Sequence, residues 1–156
     1  MSNERLLELC AEKMATADVV YLTNISADGY PKTRAMLNLR NRTQYPNQAA
    51  IYADHAHDLM TYITTNTHSQ KRGELEANAR ISLYFCHPSE FFGVCLIGDV
   101  EIVDDLHIKK ALWVDDWAQY FPTGKVDDPD FTLLRLVPKE VRGWNRSETF
   151  AFELPS

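Results

Sequence analysis

The 156-residue sequence predicts an antiparallel β-barrel with helices packed outside it. Three observations carry that prediction. Six or so β-rich segments are separated by turn signals of the hairpin kind. Helical patterns are few, short and interspersed. The strands are too hairpin-like for a parallel, doubly wound sheet. Apolar residues make up 45 % and charged residues 24 %, which suits one globular domain over residues 1–156.

Ser2 or Asn3 caps a first helix, with Glu4 in its opening turn and Leu6, Leu7, Cys10 and Met14 as its apolar stripe. Asp18 to Ser26 is β-rich, and Ala27-Asp28-Gly29 is a hairpin signal because Asp-Gly accommodates positive φ. The strand returns from Tyr30 to Arg40, with Pro31 at its start, where a missing N–H is tolerated. Ala49 to Ala53 reads as a third strand, and His57 to Asn66 as a short helix burying Leu59, Met60, Tyr62 and Ile63. A second helix runs from Ser69 to Asn78, followed by strands at Arg80–Cys86 and Phe91–Val103. Gly93 and Gly98 in the long strand mark a bend, a bulge or a close approach. His107 to Phe121 reads as one amphipathic helix stopped by Pro122 and Gly124. Lys125–Asp130 is an acidic loop, Phe131–Trp144 a strand interrupted at Pro138, and Glu148–Leu154 a short edge strand.

The net charge of −6 argues against nucleic acid or an acidic membrane as partner. Cys10, Cys86 and Cys95 fit neither a disulfide framework nor a zinc site, and read as reduced thiols. The start shows no signal peptide and no stretch reaches about 18 apolar residues, so a cytoplasmic location without a membrane span is expected. Asp54-His55-Ala56-His57-Asp58 reads as a strand-to-helix junction rather than a metal site, and Asp104-Asp105 and Asp115-Asp116 as helix starts and solvated faces. Trp113, Trp117, Tyr120 and Phe121 read as core or dimer contacts.

Two segments carry the candidate chemistry. The stretch Ile63–Leu75 (Thr64-Thr65-Asn66-Thr67-His68-Ser69-Gln70-Lys71-Arg72 at its centre) packs hydroxyls, amides and two cations into a helix start, which suits a phosphate monoester; a capped surface helix with solvated Lys71 and Arg72 is the alternative. On the strand before it, period-2 alternation puts Lys32, Arg34, Met36 and Asn38 on one face and Thr33, Ala35, Leu37 and Leu39 on the other. The second set reads as core. A solvent-facing strand and a ligand face explain the first set equally well.

Gly29-Tyr30-Pro31-Lys32-Thr33-Arg34-Ala35-Met36-Leu37 resembles the hairpin and strand of the pyridoxamine phosphate oxidase-like, flavin-binding split-barrel family, in particular its general stress protein branch. Thr65-Asn66-Thr67-His68-Ser69-Gln70-Lys71 resembles that family's signature of Thr-Asn followed closely by Ser-Arg-Lys. Leu75–Leu83, Val94–Glu101 and Arg142-Gly143-Trp144-Asn145 resemble its later motifs in the same order. The resemblance implies a six-stranded antiparallel split β-barrel, mainly β with helices outside. It implies a homodimer holding flavin mononucleotide (FMN) in clefts at the subunit interface. It places Arg34, Lys71, Ser69 and Thr65 at the phosphate, and Ala35, Met36 and Leu37 against the isoalloxazine ring. Thr64 falls near the ring or ribityl chain, and Trp144 approaches the flavin from late in the chain, from the same subunit or its partner.

Two positions depart from the family pattern. Gln70 stands where it has Arg, with Arg72 close by, and Leu39 where the vitamin oxidases have Lys. Charge-assisted hydrogen bonds are worth about 1.5–3 kcal/mol each, so weaker flavin binding is expected. The Arg-x-His motif that grips the substrate phosphate in those oxidases is absent from Ser147–Ser156. Vitamin oxidase activity is not expected. The implied function is flavin redox chemistry on an unspecified small molecule, with no side chain acting as a catalytic residue and no metal. The rivals are a non-catalytic flavin-binding stress module, and a split barrel that holds haem or a deazaflavin instead.

Overall fold

A computed structural model describes residues 1–68 and 70–155, with the side chain of Gln70 left out. Ser69, assigned above to the phosphate, and the Gln70 side chain, which stands where the family has a phosphate cation, lie outside the described residues.

Helix α1 (Asn3–Met14) starts on Ser2, whose hydroxyl accepts the Arg5 N–H, and buries Leu7, Cys10 and Met14. Strands β1 (Val19–Ile25) and β2 (Pro31–Leu37) form a hairpin whose turn is held at Gly29, at φ 83°. The stretch expected as a third strand is helical instead. Helix α2 (Pro46–Ala49) begins on Pro46, and a 3-10 helix continues over Ala50–Asp54. A proline at a first helical turn with alanines behind it favours that outcome over a strand.

The segment expected as a helix before Asn66 is strand β3 (Thr61–Asn66). Leu59, Met60, Tyr62 and Ile63 are buried, as the apolar pattern required. The strand is covered on both faces, so its burial does not alternate. Thr61, Ile63, Thr64 and Thr65 are β-branched and suit the extended chain. Helix α3 (Gln70–Ala77), β4 (Arg80–His87) and β5 (Phe92–Val103) follow.

The expected helix from His107 to Phe121 is two pieces. Helix α4 (Leu106–Leu112) starts on Asp105, whose carboxylate accepts the N–H groups of His107 and Ile108. Trp113 and Val114 are extended, and a 3-10 helix resumes over Asp115–Tyr120. The break lets Leu112 and Trp117 both enter the core. Strands β6 (Phe131–Leu136), β7 (Glu140–Asn145) and β8 (Glu148–Glu153) complete the chain.

All eight strands are antiparallel. Six follow the order β2-β1-β4-β5-β6-β3, and β7 and β8 branch from β5. β5 pairs with β7 up to Ile97 and with β6 from Val100 onward, and Gly98 lies at the changeover. A Cβ there would sit 3.0 Å from Leu136 Cδ1. The curled sheet encloses one core, including Val20, Leu22, Leu83, Phe85, Phe92 and Leu96, which α1 covers. A second core, around Trp117, Phe131, Leu133 and Tyr62, lies under α4 and the 3-10 helices. The architecture is the expected one: mainly β, a split barrel with helices outside. The two end strands of the path, β2 and β3, are not hydrogen-bonded to each other, so the barrel is open along a seam between them.

Candidate functional site

The seam brings β2 beside the start of α3. Pairing with β1 sets the side-chain directions on β2. Met36 lies opposite Val20, Arg34 opposite Leu22 and Lys32 opposite Asn24, and all three β1 partners are buried. Arg34 and Met36 therefore share the barrel-side face. Thr33, Ala35 and Leu37, expected as core, are exposed on the outer face, with Leu37 45 % accessible. Alternation was read correctly but its sense was inverted, because a cation-bearing strand that borders a seam can turn its charges inward. Leu39 is buried as expected, although beyond the strand, in the second core.

Asn38, grouped with the ligand face, does a structural job. Its Nδ2 donates to the carbonyls of Met14 (2.8 Å) and Ala17 (2.9 Å), and its Oδ1 accepts the Arg40 N–H. Asn38 thus holds the end of α1 to the end of β2.

Lys71, the second residue of α3, is only 3 % accessible. Its Nζ lies 3.5 Å from Met36 Sδ, and among the described residues no carboxylate pairs with it. Burial pulls its pKa down from 10.5 to about 8, and the nearby Arg34 guanidinium pulls in the same direction. Arg34 is half-buried and has no ion pair among the described residues either. Two cations at the mouth of a seam, without an anion between them, form a site short of negative charge.

Arg72 does not replace the missing family cation. Its Nε pairs with Glu76 at 3.0 Å, and its Nη1 donates to Thr132 Oγ1 at 2.6 Å. Leu39 cannot stand near a ligand either, because it is sealed in the core.

Farther along the seam, Leu37, Thr64, Thr65, Asn66, Trp117, Tyr120, Phe121 and Phe131 line a cavity of about 200 Å³. Thr64 and Thr65 reach it from β3, and their hydroxyls have no protein partner among the described residues. Three residues of strand separate Arg34 from Leu37, about 10 Å. The structure thus brings Arg34, Met36 and Lys71 together at one end and Leu37, Thr64 and Thr65 at the other. Trp117, Tyr120 and Phe121 belong to the site as well. The core reading holds for Trp117, which is buried in the second core, and Phe121 packs against that core; that they also border this cavity is not visible in the sequence, because no spacing connects the 3-10 helix with β3.

Trp144 is elsewhere. Its Nε1 donates to Tyr84 Oη at 3.0 Å on the outer sheet face, above Gly93. Four strand spacings separate β7 from β2, about 19 Å. Within one chain Trp144 does not join the seam. The histidines and Asp58 weighed as a metal site have protein partners. Asp58 accepts the Met60 N–H and meets His55 Nδ1 at 2.9 Å in a turn, not at the helix start expected there. His57 lies between Glu4 and Glu8 of α1 on the surface. No described helix is long and apolar enough to cross a membrane.

Residues 31–154 match the family described as "Pyridoxamine 5'-phosphate oxidase like". The chain is 29 % identical over 101 residues to general stress protein 26 of Bacillus subtilis, covering 62 % of this chain and 71 % of that protein. A Clostridium acetobutylicum protein related to general stress protein 26 (pyridoxinephosphate oxidase family) has a solved structure that superposes with a TM-score of 0.75. It is 27 % identical and covers 96 % of this chain and 95 % of that one. The fold is also that of a pyridoxamine 5'-phosphate oxidase-related, FMN binding protein from Nostoc punctiforme. There the TM-score is 0.59 and the identity 13 %, with 97 % and 94 % of the two chains covered. The match spans both candidate segments and both ends of the seam, and on that evidence the chain belongs to the pyridoxamine 5'-phosphate oxidase like family.

Proposed function

We propose that this protein binds FMN along the β2–β3 seam and carries out redox chemistry at the flavin. The observation that carries the reading is the buried Lys71 ammonium beside Arg34, with no carboxylate to neutralise it among the described residues. A phosphate dianion would supply the missing charge and relieve the repulsion between them. Lys71 and Arg72 also lie in the first turn of α3, where backbone N–H groups have no intrahelical acceptor. The distance from Arg34 to Leu37 leaves room for a ribityl chain between the phosphate and a ring beside Leu37 and Thr64. Bound there, the flavin supplies the hydride or electron transfer. The chain's own residues hold the phosphate, orient the ring against the Ala35–Leu37 backbone and offer the Thr64 and Thr65 hydroxyls to its edge.

A homodimer belongs to the same reading. The outer sheet face presents Ala35, Tyr21, Tyr84 and Cys95 in one cross-strand row, with Trp144 close to its far end. Such a face suits a second copy, and only across such an interface would Trp144 reach a flavin. The sealed Leu39, where the vitamin oxidases have Lys, favours a substrate other than a vitamin phosphate.

The test is a titration of the flavin-free protein with FMN, followed by flavin fluorescence and the visible spectrum. Saturable quenching with one FMN per chain is expected. A protein that leaves the flavin spectrum unchanged, or that takes up haemin in preference, refutes the reading. Steady-state oxidation of reduced nicotinamide by the loaded protein separates an oxidoreductase from a non-catalytic flavin-binding module.

A further inference from the structure

We propose that Asn24 is a positioning residue of the anion site: its amide holds the Glu74 carboxylate away from Arg34 and Lys71, and so keeps both cations free for a phosphate. That the phosphate is FMN's rests on the flavin reading; the restraint on Glu74 does not.

Strand β1 turns Val20, Leu22 and Asn24 into the barrel, and all three are fully buried. Alternation calls for an apolar residue at the third of these positions, as at the first two. An amide there has a cost. Asn24 Oδ1 is buried with no hydrogen-bond partner among the described residues, and an apolar side chain would leave no such atom. The other end of the amide accounts for it. Asn24 Nδ2 donates to Glu74 Oε2 at 2.8 Å, across the gap from β1 to α3.

Glu74 is well placed to close the anion site from within the chain. It follows Lys71 by three residues on α3, a spacing that puts two side chains on one helix face, where carboxylates and ammoniums commonly pair. With Arg34 and Lys32 it also borders a groove of about 370 Å³ between α3 and the β1–β2 hairpin. Yet among the described residues no ion pair joins Glu74 to Lys71 or to Arg34. Asp28, the other carboxylate on that groove, is occupied locally. It accepts the Ser26 hydroxyl and the Tyr30 N–H, and meets Lys32 at 3.4 Å. Without the Asn24 amide, no other described side chain holds Glu74. Its released carboxylate would meet two cations with no anion between them, and would neutralise them as a phosphate does.

The experiment follows the Lys71 ammonium of the flavin-free protein through a pH titration by NMR, in the wild type, in Asn24→Val and in Asn24→Val/Glu74→Gln. The wild type should titrate at about 8, held down by burial and by Arg34. In Asn24→Val the released carboxylate is expected to raise that value by about one pH unit or more. The double variant, which has no carboxylate to release, is expected to return to the wild-type value. Titrations with FMN and riboflavin give the matching readout. The preference for FMN should fall by about tenfold in Asn24→Val, the worth of one charge-assisted contact, and recover in the double variant. A Lys71 titration that Asn24→Val leaves unmoved overturns the proposal. So does a change that the double variant fails to reverse, which would make the Asn24–Glu74 bond a plain anchor of α3. Asn24→Ala carries the same expectations should Asn24→Val not fold. If the wild type shows no preference for FMN, the flavin reading falls and the Lys71 titration alone decides the role of Asn24.

Discussion

Replacing Lys71 with Met is expected to stabilise the unliganded protein while removing its grip on phosphate. Lys71 is 3 % accessible and its nearest described side-chain atom is a thioether sulfur, so a second thioether fits the space with little rearrangement. Its pKa falls from 10.5 to about 8 on folding. At about 1.36 kcal/mol for each tenfold change in proton affinity, keeping the ammonium charged at pH 7 costs the folded state roughly 3 kcal/mol. The sign follows from proton counting. Between pH 8 and 10.5 the unfolded chain holds this proton and the folded chain does not, so the Lys71 contribution to stability rises with pH. Urea unfolding at pH 7 and pH 10 measures both effects. Lys71→Met should exceed the wild type by about 1–3 kcal/mol at pH 7, and the gap should shrink at pH 10. A variant less stable than the wild type at pH 7, or a gap that ignores pH, would show that Lys71 has an unseen anionic partner and is not a vacant phosphate site.

Four further outcomes are expected. FMN affinity should decline above about pH 8, by up to tenfold per pH unit, as the free Lys71 loses its proton; fluorescence titrations of wild type and Lys71→Met check it, and the variant should lack the decline. Asn38→Ala should cost about 1–3 kcal/mol in urea unfolding, because the Met14 carbonyl and the Arg40 N–H lose the Asn38 side chain, while the Ala17 carbonyl keeps its bond from Asn41 Nδ2. Gly93→Ala should cost about 1–3 kcal/mol and change Trp144 fluorescence, since the new methyl meets Tyr84 Oη and the Trp144 indole. Leu39→Lys, which restores the vitamin oxidases' cation, should destabilise by several kcal/mol without raising FMN affinity, because the position is sealed in a core; thermal unfolding and an FMN titration together report it.

The fold was largely legible because its hairpins are written locally. Asp28-Gly29 gives the β1–β2 turn, and the strands from Arg80 to Val103 have the apolar runs that a buried sheet requires. The errors fall where tertiary packing overrides periodicity. Leu59, Met60, Tyr62 and Ile63 fit a helical stripe, yet Tyr62 and Ile63 are buried because β3 is covered on both sides, and Leu59 and Met60 just before it. Trp113 and Val114 interrupt a good helical pattern so that two apolar faces can meet one core. That Arg34 and Lys71 form a pair of cations was readable from residue types. The direction of Arg34 was not, because alternation gives two faces without saying which looks inward. Trp117 and Tyr120 read as core or dimer contacts, and Trp117 is indeed in the second core; that both also meet Thr64 across the seam is not visible in the sequence.

The most direct test compares FMN with riboflavin, which has the same ring without the phosphate, in the wild type and in Lys71→Met. The account predicts that the wild type prefers FMN by at least about tenfold, and that the preference falls by about tenfold, the worth of one charge-assisted contact, in the variant, where Arg34 remains. A wild type that does not distinguish the two flavins, or a variant that keeps the preference undiminished, would contradict it.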